Sequence, residues 1–226
     1  LMPPNNKENK RLYLIDGYAM LYRAHFAMIR NPLINSKGMH TSALFGFVNQ
    51  IMKLINTEKP DLMIAAFDSP QKTFRHERYS EYKATREKMP EEMIEQLPYL
   101  WNILESMDIP LLEEPGFEAD DIIGTLAKQA EKEDYQTFMV TPDKDFAQLV
   151  SENIFMYRPA RMGNGIEIWG VPEVQEKFDL IFIDGLHVYE QVIKDIFNSI
   201  NILKENGIIL VHDCLPRKLW YQTPTR

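Results

Sequence analysis

Short apolar runs that end in acids alternate with helix-like stretches through the first two-thirds of this chain, and that alternation narrows the fold more than any other feature. RLYLIDG is an apolar run closed by Asp16 and Gly17, which suits a buried parallel strand presenting Asp16 at its C-terminal end. From Thr41 to Asn56 the apolar residues Leu44, Phe47, Val48, Ile51, Met52 and Ile55 recur at helical spacing, and DLMIAAFD follows as a second strand. Residues 91–107 again read as helix, EADDIIGTLAKQAEKE opens a further helix, and QTFMVTPDKD is a third strand with acids at its end. This order implies an α/β fold: a parallel sheet with helices on both faces, whose ligands bind at the C-terminal ends of the strands.

Six acids fall at those ends: Asp16, Glu118, Asp120, Asp121, Asp143 and Asp145. Carboxylates gathered this closely repel one another unless a cation sits among them, so the array points to Mg²⁺ or Mn²⁺. Each cluster also has an ordinary reading. A helix starting near Phe117 would place Glu118 and Asp121 one turn apart with Asp120 on the flank, where acids also favour the helix dipole and cap free N–H groups. Asp143 and Asp145 alone suit a solvated turn. Asp16 differs, because a carboxylate directly after YLI lies at a buried sheet end and needs a partner. The three clusters together favour the metal reading. Oxygen donors without His or Cys select a hard cation, and two such ions about 4 Å apart suit in-line phosphodiester hydrolysis without a protein nucleophile.

A net charge of -8 argues against binding nucleic acid through overall charge, so a polyanion must meet a local basic patch. One lies between Pro70 and Pro90, where Lys72, Arg75, Arg78, Lys83, Arg86 and Lys88 outnumber Glu77, Glu81 and Glu87. Phe74, Tyr79 and Tyr82 are interleaved with these cations. Cations that grip phosphates and rings that stack on bases are what a single-strand channel requires, although the same segment suits a solvated charged helix. Tyr22 and Arg23, just past the Asp16 strand, can add a ring and a phosphate contact; Tyr22 equally suits a core position.

The rest of the composition narrows the setting. A hydrophobic content of 45% in 226 residues supplies a core for one large domain or two small ones. Residues 1–10 read as a loose polar arm. The single cysteine, Cys214, excludes an intrachain disulfide and a thiolate zinc cluster and fits a reducing compartment. With no apolar run of the roughly 20 residues a bilayer demands and no apolar segment at the start, the expected location is cytoplasmic. After residue 178, DLIFIDGLH, VYEQVIKDIFNSINILKENG and IILVHD read as strand, helix and strand, the helix ending at Gly207. So short a βαβ unit buries little on its own. Ile181, Ile183, Ile209 and Val211 are therefore expected to extend or lean on the first sheet, or to be poorly ordered.

The segments LYLIDGYAMLYRAHFAM, KGMHTSALFGF, AAFDSPQKTFRHERYSEYKATR, EEPGFEADDIIGTLA and VTPDKDFAQLV closely resemble the 5′ nuclease domain of bacterial DNA polymerase I, kin to the flap endonucleases. The resemblance spans residues 11–178. It implies a PIN-like α/β domain that cleaves 5′ flaps and 5′ ends of DNA with divalent metals. It also implies Asp16, Glu118, Asp120, Asp121, Asp143 and Asp145 as metal ligands, Asp120, Lys83 and Arg86 as catalytic residues, and Arg75 beside Lys83 and Arg86 at the scissile phosphate. Tyr22 matches a residue near the reacting nucleotide. Arg23, Phe74, Arg78 and Tyr82 complete the expected DNA-binding set, with no other cofactor site.

The resemblance stops near Phe178. The family continues into a helix-hairpin-helix region whose Gly-Asp-x-x-Asp motif adds metal ligands, and residues 179–226 contain no such motif. They resemble instead the C-terminal half of a class I S-adenosylmethionine-dependent methyltransferase, without its Gly-rich cofactor-binding turn. In that likeness Asp184, Asp213, His187 or His212 would lie near a metal, though strand-end polar residues and helix caps explain them as well, and Cys214 suits a small buried position. Three functions follow as expectations: a weakened metal-dependent 5′ nuclease, a DNA-binding module without turnover, or a methyltransferase fragment.

Overall fold

The structure is a computed structural model, which describes residues 10–79, 81–84, 88–160, 165–176, 178–183 and 189–211. The expected N-terminal arm, together with Arg86, Asp184, His187, His212, Asp213 and Cys214, lies outside the described residues. The chain divides into two compact units, residues 1–168 and 169–226.

The first unit is built on β1 (Arg11–Asp16), α1 (Gly17–Ala27), α2 (Ser42–Glu58), β2 (Leu62–Ala66), α3 (Phe74–Arg78), α4 (Glu91–Ile94), α5 (Leu97–Ser106), β3 (Leu111–Leu112), α6 (Ala119–Lys132), β4 (Gln136–Val140), a 3₁₀ turn over Lys144–Leu149, β5 (Ile154–Pro159) and β6 (Ile166–Trp169). Its sheet runs β3-β2-β1-β4-β5-β6, and the pairs β1–β2, β1–β4, β2–β3 and β4–β5 are all parallel. β1 is thus central, and the strand order reverses beside it. That reversal opens a crevice at the C-terminal strand ends, where Asp16 closes β1.

Both sheet faces are covered, as the alternation implied. Tyr13, Ile15, Ala65, Phe138 and Val140 point into one core with Met20, Leu21, Phe47, Ile51, Leu100 and Leu104 from α1, α2 and α5. Leu12, Leu14, Met139 and Met156 alternate to the opposite face, against which α6 packs with buried Ile123 and Ala127. Two glycines are fixed by close approach. A Cβ on Gly17 would meet the Phe67 ring at 2.2 Å, so only glycine lets β1 pass into α1 over that ring; a Cβ on Gly46 would meet the Ala24 methyl at 2.7 Å where α1 and α2 cross.

The helix expected over residues 91–107 is broken in two. Pro98 stands in the first turn of α5 and favours a break just before it, and Gln96 uses the break to enter the core. Gln96 is fully buried and its Oε1 accepts the Leu44 N–H at 2.9 Å, one of the free donors of the first turn of α2. α6 begins at Ala119 rather than near Phe117, because Glu118 is extended and serves as its N-cap.

The second unit contains α7 (Val171–Gln175), β7 (Leu180–Ile183), α8 (Tyr189–Ile202) and β8 (Ile208–Val211). β7 and β8 pair in parallel, Leu180 opposite Ile208 and Ile183 opposite Val211, as a βαβ crossover. Their two-stranded sheet is separate from the six-stranded one, so the expectation that they extend the first sheet does not hold. Among the described residues each strand pairs only with the other, in register over four residues. Leu180, Phe182, Ile208 and Leu210 line one face and are about half exposed, at 53%, 58%, 58% and 48%.

Candidate metal and nucleic-acid site

The acids converge because β1, β2 and β4 end, and α6 begins, at one edge of the sheet. Asp16 is the last residue of β1 and the N-cap of α1: its Oδ1 accepts the Ala19 N–H at 3.2 Å and its Oδ2 accepts the Thr141 hydroxyl at 2.8 Å. Thr141 follows β4, is fully buried, and also accepts the Asp143 N–H at 3.1 Å. One hydroxyl therefore fixes two acidic segments from neighbouring strands. Asp143 caps the following 3₁₀ turn by accepting the Asp145 N–H at 3.0 Å.

A cavity of about 410 Å³ lies over this edge, lined by Asp16, Asp120, Asp143, Lys83, Tyr22, Tyr18, Phe26 and a seventh acid, Asp68. Asp68 is the cleft acid that sequence reasoning passed over. The run DLMIAAFD suggests a strand that continues through Asp68, but β2 stops at Ala66 and leaves Asp68 beyond the strand end, where its Oδ1 accepts the Ala119 N–H at 2.8 Å. Its signal was the same as that of Asp16: an acid directly after an apolar run. Tyr18 was missed too; it lines the cleft edge-on to Phe67, 5.1 Å between ring centres.

The other acids are placed differently. Glu118 lines an adjoining hollow of about 290 Å³ that shares Asp68 and Lys83 with the first. Asp121 turns away, accepting a bidentate pair from Arg75 at 2.7 and 2.8 Å and the Glu118 N–H at 3.0 Å. The capping role weighed for GFEADD is thus real for Asp121. Asp145 lines neither hollow.

Electrostatics separates these groups. Burial pushes the Asp16 carboxyl up to about 6, against hydrogen bonds from Thr141 and Ala19, with Asp68 and Asp143 adding repulsion. Desolvation raises Asp120 to about 7, followed by the charges of Asp16, Asp143, Asp68 and Glu118. Asp120 stays open to water on one side, so screening moderates its shift and Asp16 is the more firmly perturbed group. Burial, then Asp143, also raises Asp145. The Arg75 hydrogen bonds pull Asp121 below the usual carboxylate range.

The basic segment folds onto this site. Lys83 donates to Glu118 Oε1 at 2.9 Å and Tyr82 donates its hydroxyl to Glu118 Oε2 at 3.2 Å. The Phe74 ring lies under Arg75 and Arg78, 4.5 and 5.8 Å from its centre, and 6.0 Å from the Phe117 ring. Tyr22 stacks beside Phe26 at the cleft wall. Arg23 lies apart from this group, lining another hollow with Met20 and Lys53.

As donors, the cleft acids fit a hard divalent cation: they are all oxygen and crowded, and burial, with their mutual repulsion added, raises Asp16 and Asp120 toward neutral pH. Among the described residues no three His, Cys, Asp or Glu side chains already stand close enough to grip one ion. The arrangement explains this, since Glu118 and Asp121 are turned to Lys83 and Arg75.

Comparison with known proteins fits this geometry. The family described as 5′-3′ exonuclease, N-terminal resolvase-like domain, matches residues 11–179. DNA polymerase I of Bacillus subtilis is 41% identical over 174 residues, which are 76% of this chain and 19% of that protein. A 5′-3′ exonuclease of Aquifex aeolicus is 42% identical over 150 residues, 66% of this chain and 51% of that protein. The chain thus spans between a fifth and a half of these curated relatives. Among solved structures, the T5 5′-exonuclease with bound zinc superposes with a TM-score of 0.57 at 19% identity, over 76% of this chain and 62% of that one, which supports the shared fold.

Proposed function

Because this chain belongs to the 5′-3′ exonuclease family, by its N-terminal resolvase-like domain, we propose that its acidic cleft hydrolyses phosphodiester bonds at 5′ ends or flaps of DNA. The carrying observation is that Asp16, Asp68, Asp120 and Asp143 line one cavity together with Lys83 and Tyr22. Bound divalent cations, Mg²⁺ or Mn²⁺, would supply an activated water and stabilise the leaving oxygen. The chain's own residues do the rest. Asp16, Asp120 and Asp143 hold the ions, Thr141 orients Asp16, and Asp68 fixes the start of α6. Lys83 and Arg75, with Arg86 by sequence likeness, meet the phosphate, and Tyr22 and Phe26 offer rings to an unpaired base.

The T5 flap endonuclease has been seen with DNA and metal ions, and that co-occurrence supports the same partners here. The test is cleavage of a duplex with a 5′ flap. Mg²⁺- or Mn²⁺-dependent product that vanishes in Asp120→Ala supports the proposal, and cleavage that persists in chelator would sink it. A DNA-binding role without turnover is the second reading. It is favoured by the ion pairs that engage Glu118 and Asp121. It predicts salt-dependent flap binding with no product at high protein concentration.

A cytoplasmic setting belongs to this proposal. Among the described residues no helix is long and apolar enough to cross a membrane. The likeness of residues 179–226 to half a methyltransferase rests on sequence alone, and we assign the β7-α8-β8 unit no cofactor.

A further inference from the structure

Glu118 is claimed from two directions. Its position beside Asp68 and Asp120 makes it a donor for the cations assigned above, yet both of its oxygens are already taken by consecutive residues of the basic segment. The carboxylate is nearly buried, 5% exposed, and Arg75 Nη1 stands 3.7 Å from its Oε2 as well. Lys83 meets it from a backbone with φ +53°, the left-handed region, which a side chain with a Cβ occupies at a penalty on the order of 1 kcal/mol or more. In that conformation the side chain reaches Glu118 Oε1. Lys83 also lines both the acidic cleft and the adjoining hollow, so its ammonium needs to travel little to face either.

We propose that Glu118 is an exchange point between the metal centre and the basic segment. Without cations it holds the Tyr82–Lys83 pair by both oxygens. Were Glu118 to turn toward a divalent ion, it would release the Lys83 ammonium, which could then face an anionic phosphate. Cation binding and the position of residues 81–84 are then two sides of one equilibrium, so each must shift the other by the same factor. This inference rests on the metal-centre reading above and adds an order of events: cations first, phosphate grip second.

Two measurements test it without DNA. Mn²⁺ affinity is read from the electron paramagnetic resonance of free Mn²⁺, for the parent chain, Lys83→Met and Tyr82→Phe. Removing the competing ammonium should tighten Mn²⁺ by about tenfold, the scale of a hydrogen bond to a charged group, and removing the hydroxyl by about threefold. Tighter binding alone could follow from a change in local charge, so movement must be read separately. A trifluoromethyl tag on Ala84→Cys, in a Cys214→Ser background, should change its ¹⁹F shift when diamagnetic Mg²⁺ is added. In Lys83→Met the tag should start at the metal-bound shift and no longer respond. Mn²⁺ uptake with an unmoved tag, or with equal affinity in parent and Lys83→Met, overturns the exchange and leaves the metal centre standing. Failure of every protein to take up Mn²⁺ at millimolar concentration overturns the metal centre itself, and the exchange with it.

Discussion

Asp120 and Asp121 are neighbours in sequence and opposites in electrostatics. Asp120 faces Asp16, Asp68 and Asp143 and is driven up to about 7, whereas Asp121 faces Arg75 and is held low. One step along the first turn of α6 rotates a side chain by about 100°, enough to send one carboxylate into the acidic cleft and the next onto a guanidinium. The acidic array is thus two populations: acids short of positive charge, where a cation is wanted, and acids already supplied by the protein's own basic segment.

The sharpest way to break that division is to remove each acid in turn. Asp120→Ala should lower Mg²⁺-dependent flap cleavage by on the order of a thousandfold, since several kcal/mol of metal-borne charge stabilisation are at stake and about 1.4 kcal/mol is tenfold in rate. Asp121→Ala should cost much less in cleavage and more in thermal stability, because what it removes is a bidentate pair with Arg75. Equal losses of activity in the two variants would mean that the division has no functional meaning.

A second test uses pH on the metal-free protein in chelator. Asp16 and Asp120 have folded-state values above the unfolded one, so the stability they permit is full below about pH 4 and is lost as pH rises through 6 to 7. Asp121 has the opposite sign and matters only as pH falls below about 4. The melting temperature should therefore decline between pH 5 and 7.5. Asp16→Asn should flatten that decline, recovering on the order of 2–3 kcal/mol at pH 7.5, because Asp16 is only 6% exposed and little screened. A melting temperature that rises over this window would show that the cleft acids are compensated after all.

Sequence periodicity showed some of this molecule clearly and left other parts hidden, for identifiable reasons. α2 was legible because it lies between core and solvent and so alternates cleanly. α1 was not, since it is pinned between the sheet and α2 and its apolar residues lack a polar counter-face. β5 and β6 carry no acid at a strand end to mark them, and the exposed Ile166 and Ile168 of β6 give no clean alternation of buried and exposed positions. Asp16 was legible because a strand-end carboxylate demands a partner; Asp68 carries the same signal two residues beyond where β2 ends, hidden by an overestimate of the strand. The ion pairs could not be read at all, since Arg75 and Asp121 are 46 residues apart and nothing in spacing tells which acid a given cation will find. β7 and β8 show the reverse difficulty. Their continuous apolar runs foretell burial on both faces, yet Phe182 and Ile208 stand more than half exposed.

The smallest expected effect probes how the uncompensated acids are held in place. Thr141 contributes one hydroxyl, which donates to Asp16 and accepts the Asp143 N–H, and no charge. Thr141→Val keeps the volume and removes both bonds, so it should cost about 1 kcal/mol of stability. If the hydroxyl only supported packing, the effect would end there. If it orients the Asp16 carboxylate for a cation, as partners behind metal ligands do, Mn²⁺ affinity should also fall by about tenfold, and Thr141→Ser, which restores the hydroxyl without the methyl, should recover that affinity more fully than it recovers stability. The two recoveries separate because a methyl in a fully buried site contributes to packing and not to aiming a carboxylate. The same substitution should leave the Arg75–Asp121 pair untouched, so a Thr141→Val protein that loses Mn²⁺ affinity while keeping its acid stability would locate the defect among the uncompensated acids alone.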